Sequence, residues 1–420
     1  MIFYLFNSGV SFVSGKGKNS SLVAIKDVRV FDGEKVIPQA TVIIDSGRLR
    51  TIGKDVSLPP EVEIVEGQGK TLLPGLIDSH VHVVSSQALE KALIFGVTSV
   101  IDMFMDVSLM KDIKQRQKEG RAQNMAYLVS AGTLATAPGG HGTQYGLEIP
   151  TLTKPEEAAT FVEARLNEGS DFIKIIYDSG ETYIQPRPTL DLATIEALIQ
   201  EAHRRNKKVI VHAATLQNCR DVLKLGADGL AHIYFNNAFD PDFGRLVAAQ
   251  KAFLIPTLAV LESLSGINEA TTLFEDPNLS PYLMLDDIRS LQSRFPAKIP
   301  SEVKKGLSET RQKVIGQLKA HKVPLLGGTD APNPGTAYGV SLHHELELLV
   351  WAGLTPLEAL KAATSLPAEK FGLNGRDVIK PGAVADLLLV EGHPAEDIKA
   401  TRHIISVWKD GRQMDREKYR

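Results

Sequence analysis

Between residues 76 and 329 short apolar runs alternate with amphipathic segments, and no other feature of the chain restricts its fold as much. The runs are Leu76–Val83, Thr98–Met103, Met125–Ala131, Phe172–Tyr177, Lys208–Ala213, Gly229–Ile233, Phe253–Val260 and Val323–Thr329. Each is short and largely aliphatic, as a buried parallel strand requires. The stretches between them, Leu192–Arg205 and Asn218–Leu225 among them, repeat apolar residues at helical spacing. Gly96, Gly169 and Gly226 each precede a strand, where a helix C-cap favours glycine. Eight strand–helix units predict an α/β protein with a (β/α)8 TIM barrel. An open doubly wound sheet would need a Gly-rich phosphate turn after the first strand, and Val81-His-Val-Val-Ser is not one.

The two ends read differently. Val23-Ala-Ile-Lys-Asp-Val-Arg-Val-Phe and Ala40-Thr-Val-Ile-Ile predict strands separated by the turn dipeptides Asp32-Gly33 and Ser46-Gly47. Ala385-Asp-Leu-Leu-Leu-Val390 and His403-Ile-Ile-Ser-Val-Trp-Lys-Asp-Gly411 repeat the pattern near the C-terminus. Neither end has enough strands to be stable alone, so the expectation is one small composite β-sandwich built from both termini. The expected division is 22–70 plus 374–415 for that domain, 71–373 for the barrel and 1–21 for a flexible tail. Two long connections, Gly132–Ile149 and Glu262 to Ala320, should overhang the C-terminal mouth of the barrel.

Composition excludes several classes. Of 420 residues, 43% are hydrophobic and 23% charged, with a net charge of -3, which gives no basis for binding nucleic acid or an anionic membrane. Cys219 is the sole cysteine, so no internal disulfide forms. No apolar run reaches membrane-spanning length. Met1-Ile-Phe-Tyr-Leu-Phe-Asn lacks a basic n-region and makes a poor signal peptide, so a cytoplasmic location is expected, with secretion left open.

Leu72-Leu-Pro-Gly-Leu-Ile-Asp-Ser-His-Val-His82 ends the first barrel strand with two histidines at i and i+2, which a strand projects from one face. Such a pair suits a divalent transition metal. His212, His232 and Asp330 fall near the ends of strands five, six and eight, and Lys174 lies within strand four. Taken singly, each has a structural alternative: a hydrogen-bonded core histidine, a helix cap, a lysine reaching solvent. Jointly they converge on one end of the barrel. Lys174, among Ile173, Ile175 and Ile176, would bury an ammonium at large cost. As a neutral amine it can instead take up carbon dioxide and become an anionic, bidentate carbamate.

These residues, with Gly327-Gly-Thr-Asp330, resemble the amidohydrolase superfamily in order and strand placement from about residue 22 to 415. Gly139-Gly-His-Gly-Thr, the spacing of His212 and His232, and Ser341-Leu-His-His-Glu-Leu-Glu-Leu-Leu resemble its imidazolonepropionase-like, prolidase-like branch. The resemblance implies two divalent ions, most often zinc. His80, His82 and Asp330 would hold the more buried ion and His212 and His232 the more exposed one, bridged by carboxylated Lys174 and a hydroxide. It implies hydrolysis of an amide, of a dipeptide or an N-acyl amino acid, with Asp330 as general base and then acid. Ester or lactone hydrolysis and deamination run on the same barrel. The deaminase reading lacks an acid after His212 in His212-Ala-Ala-Thr-Leu-Gln, and a non-catalytic scaffold would have lost a ligand. Substrate contacts are expected from His141, Tyr145, Tyr234 and Arg187. The expected partner is a small-molecule substrate, and self-association is left open.

Overall fold

The computed structural model describes residues 22–178, 187–236, 238–266, 270–295, 301–376 and 378–420 and shows a mixed α/β fold. The first strands are β1 (Leu22–Phe31), β2 (Val36–Asp45), β3 (Arg48–Gly53), β4 (Glu63–Glu66) and β5 (Lys70–Pro74). Next come β6 (Leu76–Val81), β7 (Val97–Asp102), β8 (Tyr127–Ser130), β9 (Ile173–Tyr177), β10 (Val209–Ala213), β11 (Gly229–Ala231) and β12 (Phe253–Ile255). The chain closes with β13 (Leu387–Glu391), β14 (Ile404–Lys409) and β15 (Arg412–Gln413).

Both ends of the chain enter one eight-stranded sheet, in the order β15-β14-β13-β5-β1-β2-β3 with β4 also paired to β1. The junction is the antiparallel pairing of β13 with β5, Leu387 opposite Pro74 through Glu391 opposite Lys70. Alternation along β13 explains its apolar run Leu387–Val390. Leu387 and Leu389 join Val23, Ile25, Val42, Ile44, Leu72 and Trp408 in a core of their own. Leu388 and Val390 point the other way, into the main core. Gly75 alone separates β5 from β6. A Cβ there would stand 2.1 Å from Thr98 Oγ1, so only glycine lets the two chain segments approach so closely.

The remaining strands are all parallel to their neighbours, in a three-stranded sheet β6-β7-β8 and a four-stranded sheet β12-β11-β10-β9. Backbone bridges join them. Ala135 pairs with Ile175, linking the chain after β8 to β9, and Leu254 pairs with Leu325. Val81 then pairs with Ala331, where Asp330 N donates to His80 O at 2.7 Å and His82 N to Ala331 O at 2.8 Å. The eighth expected strand is therefore held by bridges rather than a continuous ladder. Pro324 has no N–H to give, and Gly327-Gly328 weaken a strand. Gly328 has its own reason: a Cβ there would lie 2.6 Å from Ile255 Cγ2 and 2.9 Å from His80 N.

On one face of these strands Ile77, Ile101, Val129, Ile210, Ala231, Phe253, Ile255 and Leu326 form one cluster. The opposite faces, with Val100, Leu128, Ile175, Val211 and Leu254, pack against the helices. The expected strand Phe253–Val260 stops at Ile255, because Pro256 intervenes and Thr257 adopts φ 50. Leu258–Leu264 is instead a helix. The long segment after it carries further helices, the last being Ser301–Ala320.

Candidate metal centre

Strand β6 delivers His80 and His82 to its C-terminal end, and the segment after Gly328 brings Asp330 against them. Asp330 Oδ1 lies 3.2 Å from His80 Nε2 and 2.9 Å from His82 Nε2. One potential ligand atom from each of these residues falls within 4.8 Å of the other two. Asp78, two residues before His80, fixes this arrangement. Its carboxylate accepts from Thr329 N at 3.0 Å, Thr329 Oγ1 at 2.7 Å and His80 N at 3.2 Å. It thereby ties β6 to the segment carrying Asp330. Burial pushes the Asp78 carboxyl up to about 7, against those hydrogen bonds.

A second pair stands alongside. His212, next to last in β10, pairs with Ala231, so His232 lies one residue beyond, with its ring centroid 4.8 Å from that of His212 and 4.7 Å from that of His80. His232 Nδ1 meets Thr257 Oγ1 at 2.7 Å. Lys174 on β9, opposite Ile210, is 2% exposed. Its neighbours Ile173 and Ile175 pack into the main core, so strand alternation turns Lys174 to the opposite face. Burial pushes its ammonium down to about 7, although Asp330 and Asp102 pull the other way.

The donor set fits a cation. His80 Nδ1 and His212 Nε2 are buried without a hydrogen-bond partner, a costly state unless something ligates them. Burial alone would oppose ionisation of Asp330. His80 and His82 in contact with it, and His232 nearby, hold its carboxyl well below the ordinary value. Burial pushes His80 down to about 3, so its imidazole stays neutral and able to donate a lone pair.

Around this cluster the predicted substrate residues divide. His141 stacks on His212, ring centroids 5.2 Å apart and planes at 18°. Tyr145 places its hydroxyl 3.5 Å from His141 Nε2. The positive charge of Arg187 acts on the Tyr145 phenol, against the effect of burial. Tyr234 does not join them. Its ring packs edge-on against Phe243 at 5.5 Å, and its buried hydroxyl feels Cys219 and Asp240. Tyr234 stands two residues past His232 and would share its face only in a continuing strand. The strand ends at Ala231, and His232 takes φ 73, so the i, i+2 rule lapses there. Phe235 takes the place beside the histidines, 5.9 Å from His212 and 5.5 Å from His232.

Sequence reasoning also missed Asp178, whose Oδ2 lies 3.7 Å from His212 Nε2, and Phe104, which packs between His82 and Tyr145. Asp178 stands just past Tyr177 at the end of β9, where an aspartate is ordinary.

Residues 71–414 match the amidohydrolase family, and the chain belongs to it. It is a hydrolase that acts on carbon–nitrogen bonds. An imidazolonepropionase of Cereibacter sphaeroides is 27% identical over 394 residues, covering 87% of this chain and 92% of that protein. An imidazolonepropionase of Alteromonas mediterranea is 35% identical over 179 residues, 40% of this chain and 42% of its own length. A solved Xaa-Pro dipeptidase with methionine in its active site has a similar fold, with a TM-score of 0.73 at 20% identity over 94% of this chain and all of that one. Among the described residues no helix is long and apolar enough to cross a membrane.

Proposed function

We propose that this enzyme hydrolyses the amide bond of a dipeptide or N-acyl amino acid at a binuclear centre. The observation that carries the reading is the gathering of His80, His82 and Asp330, with the rings of His232 and His212 beside them and buried ligand atoms left unpartnered. The bridged sheets around a shared cluster support a closed (β/α)8 barrel, and the terminal sheet around its own core supports a small β-sandwich. Since β5 runs to Pro74, we place the division between the two at Gly75.

His80, His82 and Asp330 would hold one cation, His212 and His232 the other, with Lys174 between them as a carbamate. Zinc suits this donor set. Bound ions of this kind polarise a carbonyl and lower the pKa of water to about 7. Lys174 is prepared for carbamylation, since an amine with a pKa near 7 is substantially neutral at neutral pH. Its nitrogen bonds to carbon dioxide and releases a proton. Ionised Asp330 accepts the proton of the attacking water and passes it to the leaving nitrogen. Arg187 offers a fixed positive charge suited to a substrate carboxylate, and His141 and Tyr145 offer hydrogen bonds beside it.

The purified protein is expected to contain about two divalent ions per chain, as the donor count implies. It should turn over members of a panel of Xaa-Pro dipeptides and N-acyl amino acids in preference to lactones. Trace metal only, with no gain on adding zinc and bicarbonate, overturns the binuclear reading. Turnover confined to lactones overturns the amide reading.

A further inference from the structure

Ser341-Leu-His-His-Glu-Leu-Glu-Leu-Leu has no place in the chemistry above, yet its polar residues are buried. The helix Val340–Trp351 contains it. His343 Nε2 meets Phe95 O and its Nδ1 meets Thr401 Oγ1, each at 3.0 Å, which ties the helix to its surroundings on one side. On the other, His344 Nε2 meets Glu262 Oε2 at 2.7 Å. Glu345, wholly buried, accepts at Oε2 from Ala259 N at 2.8 Å and also faces Leu258 N. Those two N–H groups open the helix Leu258–Leu264, whose preceding residue is Thr257.

Thr257 is an unusual residue for its position. It is completely buried and sits at φ 50, ψ 50, a region that a β-branched side chain seldom enters. Glycine or asparagine would occupy it with less strain. Strain of this sort persists where the surroundings enforce it, and at functional sites. What threonine adds is a hydroxyl, and that hydroxyl meets His232 Nδ1 at 2.7 Å.

We infer that Thr257 is a positioning residue for His232 and that Glu345 holds Thr257 in place. The inference rests on the reading of His232 as a metal ligand. With its Nδ1 proton given to Thr257 Oγ1, the neutral imidazole has one tautomer and one ring orientation, and Nε2 keeps its lone pair for a cation. Glu345 fixes the first turn of Leu258–Leu264 and so fixes the backbone of Thr257. The helix Val340–Trp351 thus extends the site's support to a part of the chain more than a hundred residues away from His232 in sequence.

Zinc affinity of the full-length protein, measured by competition with a chromophoric chelator, tests this without reference to turnover. Thr257→Val should weaken zinc binding by about tenfold to a hundredfold, the usual effect of losing a ligand's hydrogen-bond partner. Thr257→Ser keeps the hydroxyl and should stay within about threefold of the wild type on the same scale. Glu345→Gln retains an acceptor for Ala259 N and should bind zinc as the wild type does, whereas Glu345→Ala should follow Thr257→Val. Should Glu345→Ala fail to fold, the Thr257 pair still decides the matter. Equal affinity in wild type and Thr257→Val overturns the inference while leaving the metal centre standing. Equal losses in Thr257→Val and Thr257→Ser also overturn it, since the backbone rather than the hydroxyl would then be responsible. A wild type that binds no zinc removes the metal reading and this inference together.

Discussion

Asp330 carries opposing demands: it sits beside two imidazoles as a ligand and is also the group placed to move a proton. Asp330→Asn preserves shape and much of the ligation but removes the base. Turnover should fall at least about a hundredfold, the lower range for lost acid–base catalysis, with metal retained. Near-normal turnover would move the base elsewhere. Lys174→Ala should lose activity and part of the metal, and formate or acetate at high concentration should restore some of both by filling the vacated carboxylate position. No rescue by either acid would leave Lys174 as a packing residue. The residues that advertise chemistry were legible because each sits where its type is out of character, such as a lysine within Phe172-Ile-Lys-Ile-Ile. Thr257, Phe235 and Asp178 gave no such signal. Threonine, phenylalanine and a strand-end aspartate are ordinary in sequence, and only the turn of the backbone brings them to the histidines.

Among the elements, the helix Val340–Trp351 shows how a buried acid is accommodated. Burial pushes the Glu345 carboxyl up to about 8, against the hydrogen bonds it accepts from Ala259 N and Leu258 N. Asp78 and Glu262 add to the rise. The folded state therefore holds a proton that the unfolded chain releases above its ordinary glutamate pKa. Stability contributed here is complete at low pH and declines between the unfolded value and about 8, by up to about 1.4 kcal/mol per pH unit. Glu345→Gln cannot titrate. Its denaturation midpoint should fall less than that of the wild type between pH 5 and pH 8, and identical pH profiles would refute the shift. Most strands were legible as apolar runs, whereas their ends were not. The run Phe253–Val260 looked continuous, but Pro256 and the left-handed Thr257 turn its second half into a helix. The eighth run is paired through bridges because Pro324 and two glycines interrupt the ladder.

For the molecule as a whole, the C-terminal strands and the parallel strands meet at one charge network around Asp386. Asp386, 1% exposed, accepts from Lys409 Nζ at 3.2 Å, from Asp410 N at 2.7 Å and from Arg376. Arg376 in turn lies over the ring of Tyr127 on β8, 4.5 Å from its centroid. Asp386→Ala would take the enclosed partner from the Lys409 ammonium, 2% exposed, leaving it only the more exposed carboxylate of Asp410 at 2.8 Å. A loss of about 3 kcal/mol is expected, the lower range for breaking a buried pair from one side, read as a lower denaturation midpoint. An unchanged midpoint would show the network to be dispensable. The pairing of the termini was legible because neither end held enough strands alone. This network was not, since Asp386, Lys409 and Asp410 look like surface charges until β13 and β14 are laid side by side.

The single residue between β5 and β6 has a consequence for anyone who wishes to move this site to another scaffold. Modular proteins are usually recombined at a tether, where a few residues can be exchanged without disturbing either side. Here Pro74 ends the sheet made from both termini and Leu76 begins the strand that bears His80 and His82, with a glycine too tightly packed to replace between them. A graft cut at Gly75 would discard the antiparallel neighbour of β13 and release the first histidine strand from its anchor. The transplantable unit is the whole chain from β1 to β15.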